Sequence, residues 1–561
     1  MFDRLLGLET EYAIRFSPRE GARHPGNRVV YDALAQAIRR QVASSPGERG
    51  DLTQQFFTEN GGAFCYESLP QAPDGGLIEG ATPECRGPRQ LLLYQKANDA
   101  ILERAIPEAE LEMAAKGHPG SIGVLKNCRD AEGNVYGAQE NYEVEIARGL
   151  GLWVYRAGLI ALLPLVAICA LTMWASMAAT LVFLIWIFIG ALIAEKANRK
   201  GQEARFPDGW MPEALIGQAS YWLSLIIWWP VVAPMALLLR AVAFRRSRRC
   251  AEAFLISRPV ITGAGTLDAG GHFGLSEKGP AICNRMRMGV APSDRSIFDT
   301  GNLMKPMMML FRLDLAGFKA LLRPRQRMQI GLSDSNVAQI AEYLKIGATT
   351  LVVDMAEAGF IDDAPRPRRP IEALHALAAD PTLRARVEIR GASPMTALEI
   401  QQWYCAAARR WVAQAGALSM EGLELVQLWQ EALDALADDP GQMVGRLDWI
   451  TKRYLIEACA EEEPVAVQRK IALRYHELGQ GYLARLEAAG TAPILIEAEA
   501  IEEATRQPPD DTPARWRGRV IRDHARSDEP IVVSWGSVRV GGVVSGKVIQ
   551  LSDYKPGGSK P

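Results

Sequence analysis

Between Arg156 and Glu195 the chain runs for 38 residues, Ala157–Ala194, without a charged side chain. As one helix such a run extends about 57 Å at 1.5 Å per residue, nearly twice a hydrocarbon core of about 30 Å. A second charge-free stretch, Ala214–Leu239, is long enough to cross a bilayer once and carries Pro230 and Pro234. Trp222, Trp228 and Trp229 suit the interfacial zone. If the chain before and after these stretches builds one domain, both flanks lie on one side and the number of crossings is even. One arrangement is a hairpin within 157–194, turning near Met173–Ala178, with 214–239 re-entrant or interfacial. The other is one long tilted span plus one ordinary span. Arg240, Arg245, Arg246, Arg248 and Arg249 mark their side as cytoplasmic. Lys196, Arg199, Lys200 and Arg205 in the connector favour the hairpin, which keeps every basic segment inside. The expectation is a multi-pass protein of the cell inner membrane, with the lipid bilayer as a partner and its globular part in the cytoplasm.

Outside this segment the chain reads as α+β: a sheet with packed helices. Its 561 residues carry 63 basic and 65 acidic side chains, a balance that does not point to nucleic acid. The eight cysteines are scattered without zinc-finger or CxxC spacing, which fits a reducing compartment. Residues 1–150 alternate strand and helix, with helices over Tyr31–Val42 and Arg89–Leu111 and a strand region over Gln55–Tyr66. After the insertion at 151–250, Arg258–Leu275 and Arg327–Gly331 read as extended and Ser335–Glu357 as helix. Residues 371–505 are mostly amphipathic helix, closing the second part of the main domain at 251–505. A small strand-rich domain over 506–550 and a disordered tail over 551–561 complete the chain.

The opening Gly7-Leu8-Glu9-Thr10-Glu11-Tyr12, read as a strand, places Glu9 and Glu11 on one face and Leu8, Thr10 and Tyr12 on the other. Two carboxylates so placed repel unless a cation joins them, and a hard ion such as Mg²⁺ prefers carboxylate oxygen. A solvated outer face is the alternative.

Further motifs follow in order: Asn60-Gly61-Gly62, Glu79-Gly-Ala-Thr82-Pro-Glu84-Cys85, Lys126-Asn127, Gly133-Asn134-x-Tyr136-Gly137 and Glu140-Asn141-Tyr142. Beyond the insertion come Thr262-Gly-Ala-Gly265, Gly331-Leu-Ser-Asp334-Ser-Asn336, Leu344-Lys345-Ile-Gly347, Asp448-Trp449-x-x-Lys452-Arg453, Tyr475-His476, Arg515-x-Arg517-Gly518 and Trp535. In content and order these resemble the Pup ligase and Pup deamidase/depupylase family, carboxylate–amine ligases with a glutamine-synthetase-like fold. The resemblance implies ATP and Mg²⁺ chemistry on the C-terminal glutamate of a small ubiquitin-like modifier, with lysine-bearing proteins as targets; the apolar insertion adds the expectation that membrane proteins are among them. It implies metal binding by Glu9 and Glu79, nucleotide contacts by Thr82 and Trp535, and a catalytic base at Glu67. Arg515 and Arg517 are phosphate-neighbour candidates because guanidinium forks suit phosphate oxygens, with a salt-bridge role as the alternative.

Several positions depart from the family pattern. Glu67 stands where the family has aspartate, with Asp74 in reserve. Ala63 and Cys65 replace an arginine and a tyrosine, and Tyr66, one place out of register, is expected to face the other way. Two metal-binding histidines are matched by Gln139 and Gln329, whose carbonyl oxygens are weaker donors. The stretch after Thr300 has no counterpart in the pattern. His476 reads as a packed histidine. Three functions remain open: a membrane-anchored ligase, favoured by the short spacing between Glu11 and Asn60; a deamidase or depupylase of the same modifier; and a catalytically weakened paralogue that binds nucleotide or modifier at the membrane.

Overall fold

The computed structural model describes residues 2–47, 54–69, 72–130, 133–198, 213–287, 295–312, 314–414, 420–459, 463–525, 527, 529–542 and 546–551. The opening motif lies at the middle of the first strand, β1 (Leu5–Pro18), whose burial alternates strictly from Leu5 to Tyr12. Leu6, Leu8, Thr10 and Tyr12 point into the protein, while Glu9 and Glu11 lie half-buried on the opposite face. The inward side chains meet helices Asn27–Gln41 and Pro88–Ala115, where Tyr12 and Phe16 pack with Tyr31, Leu34, Ile38, Ile101 and Leu102. Each such aliphatic or aromatic side chain contributes about 1.5–3 kcal/mol by leaving water.

The N-terminal half adds β2 (Ser44–Pro46), β3 (Phe56–Thr58), β4 (Ala63–Leu69), β5 (Ala72–Ala81), β6 (Cys85–Arg86), β7 (Gly120–Leu125) and β8 (Gln139–Glu145). After the apolar helices come a short ribbon, β9 (Thr266–Leu267) and β10 (Phe273–Gly274), and then β11 (Asn284–Met286), β12 (Ser296–Asp299) and β13 (Arg325–Ile330). Eleven of these strands form one sheet in the order β11-β12-β13-β8-β1-β5-β4-β3-β2, with β6 and β7 also paired to β1. Every pairing is antiparallel except β11 with β12. β1 therefore lies centrally, between the strands that carry Glu79 and Gln139.

The helix Gln339–Ala358 is buried over almost its whole length, and much of the family motif lies along or beneath it. Lys126 Nζ bonds Glu342 at 3.0 Å and Asp99 at 3.3 Å, and Arg258 grips Glu140 at 2.6 and 3.0 Å. Asp334 accepts from the backbone N–H groups of Ala264, Glu277 and Lys278 at 2.9–3.0 Å, and Asp448 accepts from Asn336 at 2.7 Å and Tyr475 at 2.8 Å. These motif residues are scaffold. His476, as expected, is fully buried, and burial beside Lys452 and Lys126 holds its imidazole well below its ordinary value.

Two expectations for irregular regions are corrected. Arg258–Leu275 does not begin extended, because helix Arg245–Ser257 is followed at once by the helical turn Pro259–Thr262, with strand only from Thr266. The C-terminal unit is also not all strand: helix Pro513–His524 precedes β16 (Ile531–Val533), β17 (Ser537–Val540) and β18 (Lys547–Gln550). (A ribbon, β14 at Arg386–Val387 with β15 at Met395–Thr396, lies between.) This unit packs through Ile521, Val533 and Val538 onto Phe57 and Ala63 of the main sheet.

The apolar run forms helix Leu150–Ala161 and, after a break at Leu162, helix Leu163–Asn198. Pro164 near the new start suits the break, since it cannot continue the preceding helix's hydrogen bonds. No turn occurs near Met173–Ala178, so the expected hairpin within 157–194 is not formed. Thr172, Ser176 and Thr180 each donate at 2.9 Å to the carbonyl four residues earlier, which satisfies their hydroxyls inside a continuous helix. The segment packing alongside is helix Glu213–Val242, continuous through Pro230 and Pro234. The connector arginines and lysines, the side chain of Asp74 and the C-terminal tail lie outside the described residues. Leu150–Gly190 is long and apolar enough to cross a membrane, with mean hydropathy 2.2, and exposes Leu171, Trp174, Phe183, Trp186 and Phe188. The roots of this helix and of Glu213–Val242 are different: Tyr155, Leu159 and Val166 of the first and Trp228, Val231, Met235 and Leu239 of the second are buried in the main core.

Candidate active site

The site is built by register. On β1, Glu11 lies opposite Glu79 of β5, and Glu79 lies opposite Cys65 of β4. One pleat further along, Glu9 lies opposite Gln139 of β8 and Ala81 of β5. Period two on β4 then carries Glu67 to the same face as Cys65, and on β13 carries Gln329 to the same face as Arg327. Glu9, Glu11, Glu67 and Glu79 thus share one face of the sheet, bordered by Gln139 and Gln329. Tyr66 turns the other way, as expected, and its hydroxyl bonds Gly75 O at 2.8 Å within the helix-covered core.

The face is short of positive charge. Arg327 donates to Glu9 Oε1 at 3.0 Å, and Gln329 Nε2 donates to Glu9 Oε2 at 3.1 Å. The backbone N–H of Gly137 donates to Glu11 at 2.7 Å. The Glu11 carboxylate beside it raises the pKa of Glu67 above the ordinary carboxylate range, reinforced by desolvation and by Glu79 and Glu9. Desolvation and the charges of Glu9 and Glu11 raise Glu79, offset in part by the Cys65 thiol and Lys305. Cys65, whose sulfur lies 3.5 Å from Glu79, is pushed up by burial and by that carboxylate, so it stays a thiol. A raised pKa at two of four neighbouring carboxylates is what crowded negative charge produces. The oxygen donors fit a hard divalent cation. Among the described residues no three His, Cys, Asp or Glu groups are drawn into a ready metal shell.

The two glutamines behave differently from the expected carbonyl ligands. Gln329 turns its amide nitrogen toward Glu9 and toward the Gln139 carbonyl oxygen, so it acts as a hydrogen-bond donor. Adjoining Glu9 is a cavity of about 300 Å³ whose lining includes Gly7, Thr82, Tyr142, Arg325, Arg327 and Trp535. Thr82 is buried and its hydroxyl accepts from Leu8 N at 3.0 Å, tying β1 to the cavity wall. Trp535 is brought in from the C-terminal unit, packed edge-on to Phe57 with ring centroids 5.0 Å apart.

Of the two readings for the arginine candidates, the structure shows ion pairing. Arg515 does not line this cavity; its side chain is exposed and lies 3.4 Å from Asp510. Arg517 is fully buried, donating to Gly61 O at 2.7 and 3.0 Å and to Glu84, with its guanidinium 4.7 Å from the Trp535 ring centre. It positions the tryptophan and the Asn60-Gly61 turn. Gly61 has φ +86°, and a Cβ there would lie 2.8 Å from Ala514, so this close docking requires glycine.

Two charged residues escaped the sequence reading as site groups. Arg327 could have been found, since it stands two residues before Gln329 on one strand. Lys305 could not, because it comes from helix Gly301–Met308, in the stretch without a motif counterpart, and no periodicity points it at Glu79.

A largely antiparallel sheet with a carboxylate-rich central face beside a small-molecule cavity defines the class: an α/β protein with a site suited to a cation and a polyanion. The family model for Pup-ligase protein matches residues 4–539, and the chain belongs to that family. A Pup–protein ligase of Acidimicrobium ferrooxidans is 27% identical over 542 residues, covering 95% of this chain and 91% of that protein. A Pup–protein ligase of Corynebacterium aurimucosum is 25% identical, covering 96% and 90%. A depupylase of Acidothermus cellulolyticus is 32% identical over 221 residues, only 38% of this chain and 44% of that protein. The fold is similar to that of the ligase PafA in its complex with the prokaryotic ubiquitin-like protein Pup (TM-score 0.67, 21% identity, 99% of this chain and 90% of that one). It is also similar to PafA in complex with ADP (TM-score 0.62, 20% identity, 94% and 92%).

Proposed function

We propose that the protein is an ATP-dependent ligase that joins the C-terminal glutamate of a Pup-like modifier to lysines of target proteins, carried at a membrane by its two long apolar helices. The observation that carries the reading is the convergence of Glu9, Glu11, Glu67 and Glu79 on one sheet face beside the cavity bearing Thr82 and Trp535. A carboxylate is a poor electrophile, so the modifier's glutamate is first phosphorylated by ATP. The lysine amine then attacks the acyl phosphate, and phosphate leaves. Mg²⁺ held by Glu9 and Glu79 would neutralise charge during phosphoryl transfer. Gln139 and Gln329 would offer carbonyl oxygens to it once the Gln329 amide is rotated. Glu67 would act as the base that accepts a proton from the attacking lysine when bound Mg²⁺ offsets the charge of Glu9, Glu11 and Glu79 and lowers its pKa again. Trp535 offers a ring to a nucleobase and Thr82 fixes the wall beneath it.

The ligase direction is favoured over the depupylase direction because the full-length likenesses cited above are to ligases. The membrane reading is supported by the exposed apolar surface of Leu163–Asn198, about 54 Å long at 1.5 Å per residue. An even number of crossings would require its companion Glu213–Val242, which ends at an arginine cluster, to span as well. The full chain, purified in detergent, would be incubated with ATP, Mg²⁺, a Pup-like modifier ending in glutamate and a lysine-bearing protein. Isopeptide formation that disappears in Glu67→Ala supports the ligase. Release from a preformed conjugate without formation would shift the reading to a depupylase. Nucleotide binding without either turnover would identify a weakened paralogue.

A further inference from the structure

Where helix Glu213–Val242 meets helix Arg245–Ser257 the chain bends by 78°. Phe244, at φ 51°, is the pivot. Beside the bend a cavity of about 440 Å³ opens at the edge of the main sheet, reaching Met286 of β11 and Phe298 of β12. Around it stand Arg240, Arg245, Arg248, Arg249 and Arg285, against a single carboxylate, Glu252. That carboxylate is already engaged, since Arg285 donates to it at 2.8 Å.

Arg248 is the telling member. It is half-buried, and its guanidinium donates to backbone carbonyls, Ala243 O and Arg240 O at 2.8 Å each. Among the described residues neither it nor Arg240, Arg245 or Arg249 makes an ion pair with a carboxylate. Burial and the neighbouring Arg285 depress its pKa to about 10, far below an ordinary arginine, with Arg240 and Arg245 adding to the effect and Glu252 opposing it. A bias toward basic residues beside an apolar helix requires only exposed charges. It does not explain arginines gathered around a cavity with one of them drawn below the surface. Guanidinium forks match phosphate oxygens in geometry and charge, and the exposed Leu237 leads from Arg240 back along the apolar helix.

We propose that this cavity binds a phosphate group, supplied by the headgroup of an anionic membrane lipid whose acyl chains lie along helix Glu213–Val242. The proposal rests on the membrane reading given above. The full chain would be reconstituted in phosphatidylcholine bilayers with and without phosphatidylglycerol, and the lipids retained after extraction counted by native mass spectrometry. Wild type is expected to retain phosphatidylglycerol preferentially. The exposed-arginine double variant Arg245→Gln/Arg249→Gln is expected to lose that preference by about thirtyfold, as two basic residues at about 1 kcal/mol each near an anionic surface would give. A control, Arg368→Gln/Arg369→Gln, is expected to match wild type, and circular dichroism would verify that both variants are folded. Equal retention by the site variant and wild type would overturn the lipid site. Displacement of the lipid by inorganic phosphate at comparable concentration would overturn the lipid source and leave a soluble-phosphate site. Failure of wild type to float with phosphatidylcholine vesicles alone would overturn the membrane reading together with this proposal. Flotation without headgroup preference would overturn only the lipid site.

Discussion

The two faces of β1 are built from neighbouring residues and follow opposite electrostatic rules. On the inner face, Tyr12 donates to Asp99 at 2.7 Å, and Lys126 links Asp99 to Glu342. Each buried charge there has a partner of opposite sign, and Lys126 and Asp99 hold both sides of the network in register. On the outer face, among the described residues, Arg327 pairs with Glu9 and Lys305 acts on Glu79 through space, and two of the four carboxylates have raised pKa values. Paired charge is scaffold; charge in excess marks the place where something else must bind. The same contrast separates Arg517, engaged with Glu84 and Gly61, from Arg248, which has carbonyls alone.

This contrast can be broken experimentally. The largest effect is expected from Lys126→Met, which removes the shared cation between Asp99 and Glu342, leaves them Lys96 at 3.6 Å and Lys345 at 3.7 Å, and should cost about 3 kcal/mol of stability in denaturant unfolding. Glu9→Gln should do the opposite: isopeptide formation falls at least about a hundredfold, equivalent to about 2.7 kcal/mol, while stability without Mg²⁺ stays level or rises because repulsion is relieved. A Glu9→Gln protein that unfolds as readily as Lys126→Met would erase the distinction between the faces.

The pH dependence gives a third test. Glu67 and Glu79 have raised carboxyl pKa values in the fold, so above the ordinary carboxylate range the folded state binds more protons than the unfolded one. Their contribution to stability is present at low pH and is lost as pH rises through the folded values. Without Mg²⁺ the protein should therefore be less stable at pH 8 than at pH 6, with a slope of up to about 1.4 kcal/mol per pH unit for each extra bound proton. Mg²⁺ or Glu67→Gln should flatten that slope in thermal unfolding followed across pH. The smallest effect is expected from Trp535→Ala, with nucleotide affinity falling about five- to tenfold by calorimetry, as one lost aromatic contact would give. Arg515→Ala should leave affinity unchanged, since that side chain lies outside the cavity.

Much of the outer face was legible in the sequence because a strand has a period of two. Glu9 and Glu11 follow from the alternation in Gly7–Tyr12, and Tyr66 was assigned inward on the same grounds. The register that brings Glu79 and Gln139 alongside is a long-range property, which only the family resemblance supplied. What stayed hidden depends on helices and on competing partners. Lys305 arrives from a helix with no shared pattern. Arg517 has a phosphate-binding side chain but also the half-buried carboxylate of Glu84 within reach, which local sequence does not disclose. The turn expected near Met173–Ala178 failed because three hydroxyls satisfy themselves along the helix, something hydropathy alone does not register.

The roots of the apolar helices have a further consequence. Trp228 packs against Phe311 with ring centroids 6.2 Å apart, in the segment that follows Lys305, and Val231, Met235 and Leu239 belong to the same core as the sheet. Among the described residues the apolar stalk is rooted directly in the core of the catalytic body. In a bilayer such a joint would set the active site at a constant height and tilt, and the molecule would select lysines by their distance from the membrane surface as well as by their chemistry. Deleting the helix roots would open the core that the sheet shares with them.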